Sequence, residues 1–192
     1  MPLPETALDI GGECRITERP QDCCIIIFGA SGDLSLRKLF PALARLFVAG
    51  DMPENFAIVG AARTQMSGDQ FREKVRQWMS EYGEPAGLDW NAFASRIHYL
   101  PMDYGDLSGH QNLARVLEGL EKTQGLPGNR MFYLAIPPTL YETVAEMLGA
   151  AGLADGGGPG TWTRIVVEKP FGRDLESSRQ LDEAMHHFFR EE

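Results

Sequence analysis

The stretch CIIIFGASGDLSL, at residues 24–36, sets the architecture expected of this 192-residue chain. It begins with an apolar, β-branched run, turns at Gly29 and Gly32, and continues into a helical pattern. Such a run predicts a strand that is buried on both faces, as in a parallel sheet. The glycines allow a tight turn free of side chains, so peptide N–H groups at the start of the next helix can face an anion such as a pyrophosphate.

The glycine spacing departs from the usual dinucleotide fingerprint, G-x-G-x-x-G. The middle glycine comes one place later, and Ser35 stands near the third position. Two glycines in a strand-to-helix turn can also serve chain geometry alone. Their place after a buried strand and before an amphipathic helix favours a ligand.

The helix after this loop is predicted to bury one apolar face and to bend near Pro41, after a first segment at residues 34–40. The residues predicted to share that face recur at helical spacing: Leu36, Leu39, Phe40, Leu43, Leu46 and Phe47.

Five apolar runs alternate with helical patterns along the chain, and the last helical pattern begins at Asp174. The strands are predicted at residues 24–28, 56–60, 96–100, 130–136 and 163–168. This alternation predicts an α/β fold, a Rossmann-like, doubly wound and mostly parallel sheet with helices on both faces. Residues 1–21 are predicted to be a disordered leader, and residues 22–192 one dinucleotide-binding domain.

Composition excludes several kinds of partner. A net charge of −9 argues against nucleic acid, and no apolar run is long enough to cross a bilayer. The first residues lack the features of a secretory signal, so we expect a cytoplasmic protein. Cys14, Cys23 and Cys24 are expected to be reduced thiols, and no metal site is expected, because the cysteines have no partners at ligand spacing.

Arg63 follows the second predicted strand, where folds that prefer NAD carry an acidic residue instead. A guanidinium is planar and always charged, which suits the 2′-phosphate of NADP. The alternative is a solvated surface arginine. With the glycine loop nearby, NADP is the predicted coenzyme.

A second candidate patch, EKPFG at residues 168–172, ends the fifth strand on the edge where ligands bind in open α/β sheets. Lys169 could donate to a sugar or a nicotinamide there, or it could simply close the strand. Tyr141 could flank a ligand or be half buried on its helix. The four histidines are scattered, with no carboxylate placed to orient a base.

Several motifs together give the chain a family resemblance. It resembles glucose-6-phosphate dehydrogenase in order from about residue 23 onward, through GASGDLS at 29–35, RKL at 37–39 with Pro41, GAAR at 60–63, FYLAIPP at 132–138 with Tyr141, and IVVEKPFGRDL at 165–175.

The resemblance implies NADP-dependent oxidation of glucose 6-phosphate at C1 to a lactone, the first step of the oxidative pentose phosphate pathway. It also implies a coenzyme site and a lysine, Lys169, that contacts both coenzyme and sugar beside a cis Pro170. The implied coenzyme residues are Gly29, Ala30, Ser31, Gly32, Asp33, Leu34, Ser35, Arg63, Asp103, Tyr104, Tyr141 and Lys169.

The family's substrate-phosphate motif, Arg-Ile-Asp-His-Tyr-Leu-Gly-Lys-Glu, and its histidine base do not occur in these residues. The chain is therefore expected to be the amino-terminal coenzyme domain, without a catalytic residue, of a protein that is a homo-oligomer at full length. Two alternatives stay open. One is a non-catalytic NADP-binding or subunit-assembly module, and the other is a short-chain reductase, which is disfavoured because the Tyr-x-x-x-Lys pair is missing.

Overall fold

The structure, a computed structural model, describes residues 19–155 and 157–169 and some positions near the end of the chain. Those positions are Arg179, Asp182, Glu183, Met185, His186, Phe188 and Phe189. The predicted leader lies outside the described residues up to residue 18. Arg19 donates from Nε to the Met52 carbonyl at 3.1 Å, so hydrogen bonds to the domain begin before the predicted boundary at residue 21.

Five parallel strands form one sheet in the order β3-β2-β1-β4-β5. Each of the five predicted strands is confirmed, with ends shifted by at most two residues. The bounds are β1 Cys23–Phe28, β2 Phe56–Ala62, β3 Ile97–Pro101, β4 Arg130–Leu134 and β5 Thr163–Val167. Every residue of β1 and β2 is buried, which explains why these two runs are continuously apolar.

Helices connect the strands and cover both faces of the sheet. They are α1 Phe40–Ala49, α2 Gly68–Tyr82, α3 Trp90–Ala94, α4 Leu107–Gln124 and α5 Tyr141–Ala150. Ser67 begins α2 with a capping box to Gln70, and the Asp106 carboxylate caps α4. The Rossmann-like doubly wound fold predicted from the sequence is confirmed.

The two faces of the sheet have separate cores, because side chains alternate along each strand. Ile25, Ile27 and Ile58 point towards α1, α2 and α3. Cys24, Ile26 and Phe28 point towards α4 and α5. Both buried thiols are free, and burial is the main cause that raises the pKa of Cys23 to about 11 and of Cys24 to about 12. These two are therefore protonated structural thiols, whereas Cys14 lies outside the described residues.

A π-helical turn, Ser35–Leu39, precedes α1 and changes which apolar residues are buried. Leu36 and Phe40 are buried as predicted, but Leu46 is 38% exposed, so its predicted burial is wrong. A π turn takes more residues per turn than an α-helix, so the residues beyond it are rotated away from the face that a constant period predicts. Pro41 is the second residue of α1, directly after the π turn.

The predicted last helix lies only partly within the described residues. Met185 and Phe189 are buried against the α5 face of the core, whereas Asp174 and most of the residues around it lie outside the described part. No helix among the described residues is long and apolar enough to cross a membrane.

Replacing Gly60 by alanine is expected to lower the free energy of unfolding by about 1–3 kcal/mol. An added Cβ would lie 2.8 Å from the Ala30 Cβ and 2.9 Å from the Phe71 ring, and both are fully buried. Gly119 is the matched control, because nothing lies within 4 Å of a Cβ added there on the exposed side of α4. Gly119→Ala should stabilise the helix by about 1 kcal/mol. Denaturant unfolding measures the free energy of unfolding of both variants. An unchanged free energy of unfolding for Gly60→Ala would contradict the close packing at this position.

Candidate dinucleotide-binding site

The candidate site lies at the carboxyl edge of the sheet, where β1 stands between β2 and β4. The chain runs outward from β1 through β2 to β3 and then returns to the other side of β1 to form β4. The crevice at such a reversal is the ligand position in open α/β sheets. The GASGDLS loop leaves β1 at this point.

Gly29 is required by the backbone on two grounds. Its φ is +82°, in the left-handed region, and an added Cβ would overlap the carbonyl oxygen of Ala135. The Gly29 carbonyl accepts from Gly32 N at 2.9 Å and from Ser35 Oγ at 3.0 Å. The loop is thus closed by its own hydrogen bonds.

Gly32 has a different function in the loop, because its φ is not positive. A Cβ there would lie 3.1 Å from the Gly29 carbonyl oxygen, and the residue is exposed. Helical structure begins directly after it, and the first amide groups of a helix have no acceptor within the helix. An exposed glycine beside these amides lets an anion approach the backbone.

Tyr104 supports the loop from below. Its buried hydroxyl accepts from the Gly29 N–H at 3.0 Å and donates to the Ala61 carbonyl at 3.5 Å. Burial is the main cause that raises the pKa of Tyr104, so the hydroxyl keeps its proton. Phe28 packs edge-on against the Tyr104 ring with centroids 5.7 Å apart, and the His110 ring stacks on Phe28 with centroids 5.9 Å apart.

His110 lies in the core beside Phe28. It is fully buried, and its Nδ1 lies 3.1 Å from the Asp106 carbonyl oxygen. Burial is the main cause that lowers the pKa of His110, so the ring is neutral at neutral pH.

A cleft of about 190 Å³ opens over the loop. It brings together five of the residues predicted to bind the coenzyme: Gly29, Ser31, Gly32, Arg63 and Tyr104. Sequence reasoning missed other lining residues, namely Ala62, Thr64, Ala135, Ile136, Pro137 and Leu140. Their common signal is that they lie at or after the ends of β2 and β4, the neighbours of β1.

The other loop residues predicted for the site lie behind or beside this cleft. Ala30 and Ser35 are fully buried. Asp33 is exposed and pairs with Arg37 at 3.3 Å, and Leu34 is half buried as the cap of the π turn. Their predicted roles stay predictions, and the buried residues can act only by holding the backbone in place.

Three predicted residues outside the loop also lie away from the cleft lining. The Asp103 carboxylate accepts the Gly105 N–H at 2.9 Å. Tyr141 is 1% exposed and donates to the Leu134 carbonyl at 3.5 Å, so its ring belongs to the core. Lys169 is exposed just beyond β5. Pro170 lies outside the described residues.

The residue before Lys169 is held by a strong side-chain contact. Tyr133 donates from its hydroxyl to Glu168 Oε1 at 2.6 Å. Burial and then this bond raise the pKa of Tyr133 to about 12, which favours the donating phenol. The contact joins the ends of β4 and β5, so the backbone that leads into Lys169 is anchored to the sheet.

Two larger surface clefts lie elsewhere and carry none of the loop residues. One, of about 530 Å³, contains the buried Arg130 near the start of β4, and the other, of about 450 Å³, lies between α2 and α3. We assign the site to the smaller cleft because it holds the glycine loop at the strand reversal. The described residues contain no cluster of side chains that could hold a metal ion.

The parallel sheet, its strand order and the glycine loop define this class of protein as a dinucleotide-binding α/β domain. Comparison with known families identifies the particular family within this class. The family model described as "Glucose-6-phosphate dehydrogenase, NAD binding domain" matches residues 26–192. The chain belongs to the glucose-6-phosphate dehydrogenase family and carries its nicotinamide-dinucleotide-binding domain.

Individual relatives agree with the family model. Glucose-6-phosphate 1-dehydrogenase of Aggregatibacter actinomycetemcomitans is 40% identical over 175 residues, which cover 90% of this chain and 35% of the relative. The enzyme of that name from Bacillus subtilis is 38% identical, with 92% and 35% covered. The chain thus spans about a third of the length of the curated relatives it matches.

Solved structures show the same architecture. A glucose-6-phosphate dehydrogenase in complex with its substrate glucose-6-phosphate superposes with a TM-score of 0.77 and 33% identity, over 92% of this chain and 36% of that one. Glucose-6-phosphate 1-dehydrogenase from Mycobacterium avium gives a TM-score of 0.73 and 30% identity, over 88% and 34%.

Replacing Tyr104 by phenylalanine is expected to lower the free energy of unfolding by about 1 kcal/mol. The substitution keeps the ring but removes the hydroxyl bonds to Gly29 and Ala61; the cost stays small because Gly29 N also donates to Ala61 O at 2.9 Å. Tyr82→Phe, with an exposed ring, should unfold like the wild type. Denaturant titrations of the three proteins measure this, and identical midpoints would argue against a supporting role for the Tyr104 hydroxyl.

Proposed function

We propose that this chain is the NADP-binding part of a glucose-6-phosphate dehydrogenase, which oxidises D-glucose 6-phosphate to 6-phosphoglucono-1,5-lactone. The observation that supports it most is the meeting of the glycine loop and Arg63 in one cleft at the strand reversal. The relatives carry the name of this enzyme, and one solved relative holds glucose-6-phosphate.

The loop is proposed to bind the coenzyme pyrophosphate. Gly29 and Gly32 keep side chains away from the first turn of the following helix, where backbone N–H groups and the positive helix end favour a negative charge. Ala30, Asp33, Leu34 and Ser35 are proposed to keep the loop in shape, consistent with the Ser35 bond to the Gly29 carbonyl.

Arg63 is proposed to bind the 2′-phosphate that distinguishes NADP from NAD. It is exposed directly after β2, and its guanidinium carbon lies 6.0 Å from the centre of the Tyr104 ring. Beside it, Ser31 Oγ and Thr64 Oγ1 are hydrogen-bonded at 3.1 Å; one hydroxyl proton is used in that bond, and the other can be donated to a ligand. No acidic residue stands at this strand end to bond a free 2′-hydroxyl.

Lys169 is proposed to lie where the nicotinamide and the sugar meet. It follows β5 on the carboxyl edge of the sheet, next to the Tyr133–Glu168 contact that anchors this strand end. Its ammonium can donate to an amide carbonyl or to a sugar oxygen. Bound NADP would accept the hydride from C1 of the sugar.

The whole protein is proposed to be cytoplasmic, which agrees with the two adjacent, buried and free thiols Cys23 and Cys24. Its expected assembly as a homo-oligomer stays a prediction.

These 192 residues by themselves are expected to bind the coenzyme without oxidising glucose 6-phosphate. The reaction needs a general base for the sugar hydroxyl and a clamp for the sugar phosphate. Of the described histidines, His98 is half buried, His110 is fully buried and His186 is exposed, and none of the three lines the cleft. Burial lowers the pKa of His98 and of His110. NADPH absorbance in the presence of glucose 6-phosphate measures turnover, and a rate typical of the full-length enzyme would refute this expectation.

Arg63→Ala is expected to weaken NADP binding by about 10- to 100-fold and to leave NAD binding nearly unchanged, because only NADP has a phosphate for the guanidinium. Arg115→Ala, on the exposed surface of α4, is the control for the loss of one positive charge. Calorimetric titration with both coenzymes measures the preference. An equal loss of affinity for NADP and for NAD would show that Arg63 does not bind the 2′-phosphate.

A further inference from the structure

Lys74, a residue of α2 that sequence reasoning did not place in the site, reaches the glycine loop. Its Nζ donates to the backbone carbonyl of Ser31 at 3.3 Å, and the residue is half buried. An ammonium group has three N–H donors. Among the residues that the structure describes, only the Ser31 carbonyl is bonded to it, so two donors remain for a ligand beside the loop.

Packing fixes the position of α2 and therefore that of Lys74. Phe71, nearly one helical turn earlier, stacks on Tyr99 with ring centroids 4.4 Å apart and fills the space left by Gly60. Arg72 donates from Nη1 to the Ile97 carbonyl at 2.8 Å, which ties the same turn of the helix to β3. The Lys74 ammonium is thus held at the loop by contacts made elsewhere on its helix.

The groups around this ammonium are suited to an anion. Ser31 Oγ and Thr64 Oγ1 lie 3.1 Å apart, and Tyr99 donates from its hydroxyl to the Thr64 carbonyl at 2.6 Å. Arg63 precedes Thr64 at the end of β2. In the described part of the chain neither Arg63 nor Lys74 forms an ion pair with a carboxylate, and Asp33, the acid of the loop, pairs with Arg37 instead. Two cations therefore flank the hydrogen-bonded hydroxyls of Ser31 and Thr64: Lys74 is bonded to the Ser31 carbonyl, and Arg63 directly precedes Thr64.

We propose that Lys74 is a second cation for the 2′-phosphate of the coenzyme and that it contributes to the choice of NADP over NAD; this assignment rests on the function proposed above. A guanidinium binds a phosphate edge with two parallel bonds, whereas an ammonium acts as a point charge and can approach from another side. The protein as a whole carries a net charge of −9, so a phosphate depends on such local cations. NAD has no charge at this position and makes no use of Lys74.

The test compares ligands that differ by the 2′-phosphate alone. Calorimetric titrations compare the affinity for NADP with that for NAD. A second pair, adenosine 2′,5′-bisphosphate and AMP, differs in the same phosphate, and both ligands of this pair lack the nicotinamide half. Lys74→Met should weaken binding of NADP and of the bisphosphate about 10-fold and leave NAD and AMP unchanged. Lys74→Arg, which keeps the charge, should restore most of the preference. Lys122→Met, at an exposed lysine of α4, is the matched control and should change none of the affinities.

Two outcomes would overturn the assignment. An unchanged NADP affinity in a folded Lys74→Met variant shows that the ammonium does not meet the phosphate. Equal losses for NADP and NAD show that Lys74 only supports the loop through the Ser31 carbonyl. Thermal unfolding of each variant establishes that it is folded.

The same titrations distinguish failure of this assignment from failure of the proposed function. If the wild type does not prefer NADP to NAD, the proposed function is refuted. If only Arg63→Ala removes the preference, the proposed function stands and the role of Lys74 is refuted.

Discussion

The close approach of two backbones at Gly29 is the constraint on which the site depends. The carbonyl of Ala135 occupies the space that a side chain at Gly29 would need, and the positive φ of Gly29 turns the chain away from β1 at that point. The same residue donates to the Ala61 carbonyl at 2.9 Å, and Ala135 N donates to the Phe28 carbonyl at 3.0 Å. One glycine thus joins the ends of β1, β2 and β4, the three strands whose following residues line the cleft.

A second close contact, at Gly60, connects this edge to α2. Because Gly60 has no side chain, the Phe71 ring can lie against β2 and beneath Ala30 of the loop. That packing sets the position of α2 and so brings Lys74 to the Ser31 carbonyl. An acidic protein can hold an anionic coenzyme in this way, because fixed donors at one edge act at contact distance, whereas the more distant charges that make up the net charge of −9 are screened by salt. Gly29 therefore determines the geometry of the loop, and Gly60 allows the packing that places the Lys74 ammonium beside it.

The sheet edge at β4 and β5 is held together differently from the edge at the glycine loop. There the Tyr133–Glu168 contact joins two strand ends through side chains, and the exposed Lys169 follows it. Lys169 is the residue proposed above to lie where the nicotinamide and the sugar meet. The chain spans about a third of the length of the curated relatives it matches, so the reaction itself stays part of the proposed function.

The sequence by itself determined the strands, the order of elements and the glycine loop, because continuous apolar runs and turn residues are local signals. It also predicted a role in coenzyme binding for Arg63 from its place after β2 alone. Only the tertiary structure decided the rest. Leu46 is exposed beyond the π turn, and Tyr141 is buried in the core. The Tyr104 hydroxyl is hydrogen-bonded to Gly29, 75 residues earlier in the chain. Packing between elements also brings Lys74 of α2 to the Ser31 carbonyl of the loop. Contacts between residues far apart in the chain leave no periodic trace, so a local pattern cannot reveal them.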